Sequence, residues 1–364
     1  MNYLICFGTR PEVIKMAPIV FEMRRRNLHP ILCTTGQHRE MLDQMLEVFD
    51  LNPDYNLDLM RSEQSLNSLS SEIFREIDLV FSKEKPDVVL VQGDTTTSNI
   101  IGQAAFNRKI KIGHVEAGLR TYNKQSPFPE EINRQIISRL ANWHFTPTIK
   151  ATENLHKEGI EESCVFQTGN TVVDALTWIK DSDNVHDHSK DLGLPIDAHK
   201  KMILVTGHRR ENFGKGIEEL CQALIELAQD NDNFIVFPVH LNPNTKQVVE
   251  DKLNGFENIR LLAPVNYREM VCLMQQCDLI ISDSGGIQEE APTFKKPVIV
   301  TRDHTEREEA IEAGFSILTG SNAVEIVKHA IELLNNTPKF ADVENPFGDG
   351  LAAKRIVDVL LQNK

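Results

Sequence analysis

The sequence predicts an α/β protein of two doubly wound, Rossmann-like domains. Short, nearly continuous apolar runs rich in β-branched residues recur along the chain, as expected of strands covered on both faces. Amphipathic segments of helical period separate them, and this alternation implies parallel sheets with right-handed crossovers. The length of 364 residues exceeds the size at which one core keeps growing, so two domains are expected.

The predicted strands are Tyr3–Phe7, Ile31–Thr35, Val88–Gln92, Ile110–Val115, Val165–Thr168, Met202–Thr206, Phe234–Val239, Ile259–Leu262, Leu279–Ser282 and Val298–Thr301. Between them lie helices such as Ile217–Ala228, where Ile217, Leu220, Leu224 and Leu227 fall on one face. The polar, aperiodic stretch Asp181 to His188 lies near the boundary, dividing the chain into domains 1–170 and 171–350. The last helix, Leu351–Leu361, either closes the second domain or crosses back so that 351–364 pack onto the first.

Composition narrows the function. Hydrophobic residues at 41% and charged residues at 25% are ordinary for a folded globular chain. A net charge of −14 argues against nucleic acid as a partner, so an anionic ligand needs a local basic pocket. The six cysteines are scattered, without a CxxC pair, and read as reduced, buried small hydrophobes. Tyr3–Phe7 reads as a first strand rather than a leader, and no apolar run reaches the roughly 20 residues of a membrane span. A cytoplasmic protein without a membrane partner is expected.

Open parallel sheets bind ligands at the carboxyl ends of their strands, so polar groups just after each strand are the candidates. Gly8-Thr9-Arg10-Pro11-Glu12 leads into a helix whose N-terminus, with Arg10 and Lys15, suits a phosphate, or is simply a turn with solvated charges. Asp94 follows Val88–Gln92 and either serves chemistry or caps the next helix. Glu116 ends the next strand, and Glu130 sits in a first helical turn after Pro127-Phe128-Pro129, where an acid is favoured by the helix dipole alone. Three carboxylates on successive loops of one sheet edge can have their proton affinities split into an acid and a base.

In the second half, Gly207-His208-Arg209-Arg210-Glu211-Asn212 puts a proton shuttle and two guanidiniums after a strand. His240 follows the next strand, where a lone histidine is more often structural. Ser282-Asp283-Ser284-Gly285-Gly286 turns into a helix whose exposed amides suit a pyrophosphate, and Glu290 lies about one turn later, placed for ribose hydroxyls. No Walker loop or GxGxxG fingerprint is present.

These runs, together with Lys15-Met16-Ala17-Pro18, Gly93-Asp94-Thr95-Thr96-Thr97, His114 through Thr121, Pro129 through Arg134 and Thr168-Gly169-Asn170-Thr171, resemble the non-hydrolysing UDP-N-acetylglucosamine 2-epimerases in order and over nearly the whole chain. The resemblance implies a glycosyltransferase-B-like fold with the ligand cleft between its domains, and a homodimer. It implies reversible conversion of UDP-GlcNAc to UDP-ManNAc through C2 proton abstraction and UDP elimination and re-addition, supplying a surface-polysaccharide precursor, with no NAD and no metal. It makes Asp94, Glu116, Glu130 and His208 catalytic, and puts Arg10, Lys15, His208, Ser284, Gly285, Gly286 and Glu290 on UDP. It also implies a second, activating UDP-GlcNAc at Gln37, Glu40, Arg209, Glu211 and His240. The chain departs from the family pattern at Lys295-Lys296, His304 and Glu308, so a modified UDP-HexNAc remains an alternative substrate. A glycosyltransferase of the same fold, a hydrolysing epimerase and a catalytically dead sugar-nucleotide sensor are the other readings.

Overall fold

The structure is a computed structural model that describes residues 1–36, 39–59, 61, 64–182, 192, 194, 200–207, 214–239, 242–336, 340 and 342–362. The chain forms two compact units, Met1–Trp178 with Phe347–Lys364, and Ile179–Pro346. Both are parallel α/β sheets, the class expected from the sequence.

The first unit holds seven strands: β1 Tyr3–Phe7, β2 Ile31–Thr34, β3 Tyr55–Asn56, β4 Val88–Gln92, β5 Lys111–Val115, β6 Trp143–Thr146 and β7 Val165–Gln167. Their order is β3-β2-β1-β4-β5-β6-β7, all parallel, with the direction of winding reversing between β1 and β4. Such a reversal leaves a crevice at the carboxyl ends of the two strands. Leu4, Cys6, Val89 and Val91 pack with Ile73, Ile77, Phe81, Ile100 and Ile101 to form a core on one face.

The second unit repeats the plan with β8 Lys201–Thr206, β9 Asn233–Pro238, β10 Ile259–Leu262, β11 Leu279–Ser282, β12 Val298–Val300 and β13 Ser316–Leu318. The order β10-β9-β8-β11-β12-β13 reverses between β8 and β11. The helix Lys215–Leu227 buries Ile217, Leu220, Leu224 and Leu227 against this sheet, on the face the spacing predicted. Five of the six cysteines are buried and all are free, as expected of small hydrophobes. Among the described residues no helix is long and apolar enough to cross a membrane.

Three strands, β3, β6 and β13, were not predicted. β3 has only two residues, too few to carry a period, whereas β6 reads Trp-His-Phe-Thr and is buried throughout despite two polar side chains.

The helix Ala352–Gln362 lies on the first unit, burying Ile356, Val357 and Leu360. Its opening amides, Ala352 N–H and Ala353 N–H, donate to the Asp174 carboxylate at 3.2 and 2.8 Å. Arg26 reaches Asp358 at 2.6 Å, tying the same helix to the end of Arg10–Arg25. Burial lifts the Asp174 carboxyl to about 6, with the two amides opposing. Because the folded value lies above the ordinary 3.8, this group's stabilising contribution is complete below pH 3.8 and lost as pH rises through about 6. Asp174→Asn, which cannot ionise, is expected to flatten that decline in thermal melts taken from pH 4 to 7. Asp174→Ala, which strands two helix-opening amides, is expected to lose about 1 kcal/mol at every pH; parallel pH profiles for wild type and Asp174→Asn would contradict this account.

Candidate active site

The loop after β1 is closely packed. A Cβ on Gly8 would lie 2.2 Å from Thr35 Oγ1 and 2.6 Å from Thr97 Oγ1, so only glycine fits. Thr9 caps the helix Arg10–Arg25, and Glu12 reaches back to its amide at 2.8 Å. Arg10 opens that helix and is partly exposed. Glu12 itself is 1% exposed; burial pushes its carboxyl up, and bonds from Thr9, Thr95, Gly8 and Ser98 oppose that shift.

The cap of the helix Thr96–Asn107 is Thr95, whose hydroxyl accepts the Ser98 amide at 3.0 Å. Asp94 therefore has a different role from the capping alternative. Its carboxylate is held by Arg134 Nε at 2.7 Å, and its backbone carbonyl accepts from Asn133 Nδ2 at 2.8 Å. The preceding turn is fixed from β5, where buried His114 donates through Nε2 to the Gly93 carbonyl at 2.7 Å. Burial drives the His114 pKa down to about 3, so it stays neutral and serves as a fixed donor.

Glu116 follows β5 directly, in the left-handed region at φ 62°, a conformation that costs a non-glycine residue about 1–2 kcal/mol. The strained backbone turns the carboxylate inward, where it is 5% exposed. Lys15 Nζ donates to both of its oxygens, at 2.6 and 2.8 Å. Gln92 Nε2 donates to one of them as well, and Asn170 Nδ2 approaches at 3.5 Å. Lys15, expected on UDP, pairs with Glu116 in this structure. A Cβ on Gly93 would lie 3.9 Å from Glu116 Oε2, which places this carboxylate beside the turn that carries Asp94.

Glu130 opens the helix Glu130–Leu140 and is half-buried. Burial first, and then the Asp94 charge, push its carboxyl up, while Arg134 pulls it down. The neighbouring Glu131 is fully buried and structural, binding the Thr121 and Tyr122 amides at 2.9 and 3.1 Å and Arg134 at 3.2 Å. Unit one therefore brings Asp94, Glu116 and Glu130 to one sheet edge, each in a different electrostatic setting.

At the switch point of the second unit, Thr206 and Ser282 share a 2.6 Å hydroxyl bond, and the Ser284 amide donates to Ser282 Oγ at 3.0 Å. Ser284 caps the short helix Gly285–Glu290, with Gly285 buried and Gly286 exposed. A Cβ on Gly285 would lie 3.1 Å from the Arg307 guanidinium. Glu290 is buried and accepts from Tyr267 Oη at 3.0 Å. Arg307 binds Glu289 at 2.8 Å, and Thr305 donates to Gln288 at 2.7 Å, so the segment that departs from the family pattern is stitched to this helix. Burial raises the Glu306 carboxyl, but Arg307 and Arg302 outweigh it and bring the group to about 2.

Gln37, His208, Arg209, Glu211 and His240 lie outside the described residues, as does the side chain of Glu40, which is in the helix Arg39–Val48. Sequence reasoning gave no role to Glu12, Gln92, Arg134 or Tyr267. A local signal existed for two of them: Glu12 stands at the third position after a threonine cap, and Arg134 one turn after Glu130. The Lys15–Glu116 pair spans 101 residues and has no local signal.

That pair generates a stability prediction. Removing one member of a buried ion pair costs about 3–5 kcal/mol because the other charge is left uncompensated. Lys15→Met is expected to approach that loss in denaturant unfolding, and Lys15→Met with Glu116→Gln to recover most of it. A double variant no more stable than Lys15→Met would remove the electrostatic explanation.

The family model described as UDP-N-acetylglucosamine 2-epimerase matches residues 22–361. The UDP-N-acetylglucosamine 2-epimerase of Campylobacter jejuni is 48% identical over 373 residues, covering 99% of this chain and 97% of that protein. The crystal structure of the Neisseria meningitidis UDP-GlcNAc 2-epimerase bound to UDP-GlcNAc matches with a TM-score of 0.92 at 45% identity, over 100% of each chain. A glycosyltransferase of kitacinnamycin, 11% identical with a TM-score of 0.67 over 99% of this chain and 98% of its own, shares the fold alone. With a family match across most of its length and a relative 48% identical over 99% of it, the chain belongs to the UDP-N-acetylglucosamine 2-epimerase family.

Proposed function

We propose that the chain inverts C2 of UDP-GlcNAc reversibly, giving UDP-ManNAc without hydrolysis, in the cytoplasm and as a supplier of a surface-polysaccharide precursor. The observation that carries this reading is the gathering of Asp94, Glu116 and Glu130 at one sheet edge with their charges set differently. A C2–H beside an acetamido group is a weak acid, so its removal needs a placed base and a countercharge. One carboxylate takes the C2 proton, the C1–O bond to UDP breaks with its electron pair, and a C1=C2 double bond forms. UDP then re-adds at C1 as a carboxylic acid returns a proton to C2 on the other face. Asp94 is held by Arg134, and burial, with the Asp94 charge beside it, pushes the Glu130 carboxyl up, which suits Glu130 to the proton-carrying role. Lys15 holds Glu116 by both of its oxygens. Arg10, His208 and the amides at Ser284, Gly285 and Gly286 take the diphosphate, and Glu290, steadied by Tyr267, takes the ribose.

The family resemblance also supplies a homodimer and a second UDP-GlcNAc as activator.

Asp94→Asn, Glu116→Gln and Glu130→Gln are each expected to lose about 10²- to 10⁴-fold in turnover while retaining the fold. In deuterated water the wild type is expected to place deuterium at C2 of the product, with no free ManNAc, as followed by NMR. Near wild-type rates in two of the three variants, or product that keeps its C2 protium, would exclude this mechanism. For activation, UDP-ManNAc alone is expected to turn over slowly and to accelerate sigmoidally when a trace of UDP-GlcNAc is added, with a coupling of about 1–3 kcal/mol. A lag-free reverse reaction with UDP-ManNAc alone would rule out the activator.

A further inference from the structure

Glu12 is a buried carboxylate that neither the proton transfers nor the UDP contacts use. Its Oε2 accepts from the Gly8 amide at 3.0 Å, the Thr9 amide at 2.8 Å and the Thr9 hydroxyl at 2.8 Å. Its Oε1 accepts from the Thr95 hydroxyl at 2.8 Å, with Ser98 Oγ at 3.1 Å. A capping glutamate needs only the bond to the cap amide. Here one oxygen is spent on its own loop and the other on a loop more than 80 residues away in the chain.

Those loops follow β1 and β4, the neighbouring strands at which the sheet reverses. The first carries Arg10 and the second carries Asp94. Thr95 donates its proton to Glu12 while its oxygen accepts the Ser98 amide, so the strap and the helix cap share one side chain. A buried carboxylate is costly to leave short of donors, so movement of either loop breaks bonds that water cannot replace. We propose that Glu12 is a positioning residue, strapping the loop that bears Asp94 to the loop that bears Arg10 and so holding proton transfer and diphosphate grip in register. This rests on the proton-transfer reading of Asp94.

The test is a double-mutant cycle in the full chain, read as turnover of UDP-GlcNAc and as deuterium exchange at C2, normalised to folded fraction by thermal melts. Glu12→Gln keeps one acceptor oxygen for the Gly8 and Thr9 amides and turns the other arm into a donor, so the Thr95 hydroxyl must reverse its role and the link between the loops is weakened. Misplacement by about 1 Å can cost about 10²-fold, so kcat is expected to fall 10- to 100-fold. In the Asp94→Asn background the same change is expected to alter the residual rate less than about twofold, because a misplaced group that no longer transfers a proton has little left to lose. An equal loss in both backgrounds, or full turnover in Glu12→Gln, would overturn the strap. Full turnover in Asp94→Asn alone would overturn the reading beneath it and the strap with it, a result separate from the other two. Thr95→Val, which cuts the strap from the far loop, is held to the same cycle if Glu12→Gln does not fold.

Discussion

The site in the first unit depends on the buried contact between Lys15 and Glu116. It joins the helix that follows β1 to the end of β5, across the intervening β4, and it places opposite charges in a setting where neither can be left alone. Glu116 reaches that position only by adopting a left-handed backbone, a strain that the surrounding bonds from Lys15, Gln92 and Asn170 sustain. Around it the neighbouring turns follow: Gly93 is pinned by His114, Asp94 by Arg134 and Asn133, and the first-strand loop by Glu12.

The arrangement separates the three acids by environment rather than by type. Glu116 is matched with an ammonium, Asp94 with a guanidinium, and Glu130 shares that guanidinium while feeling Asp94's charge and the loss of water. Three carboxylates thereby stand in three unlike settings, and the Glu130 carboxyl is pushed up. Neutral His114 contributes the opposite property: a donor that does not titrate near neutrality and so does not disturb the balance around it.

Much of this was legible in the residues because both sheets are covered on both faces. β1 and β4 are nearly continuous apolar runs, and polar groups that follow them are ones the first unit gathers. β6 escaped because His144 and Thr146 are buried by neighbours remote in sequence, which no local period reveals. The same limit applies to the site. Asp94 and Glu116 stand just after strands and Glu130 in a first helical turn, where the sequence exposes them, but the pairing of Lys15 with Glu116 joins residues 101 apart, which no local pattern reveals. Asp94 looked like a cap until the adjacent threonine proved to take that role.

The terminal helix Ala352–Gln362 has a consequence for how the molecule comes into being. It completes a unit whose other residues were made first, seating its opening amides on Asp174 and its apolar face on the helix Arg10–Arg25. During synthesis the first unit must therefore wait, with that face uncovered, while the whole of the second is translated. That face is covered only once the helix Ala352–Gln362 has been made, so the first unit is completed after the second has been translated, although each has its own core.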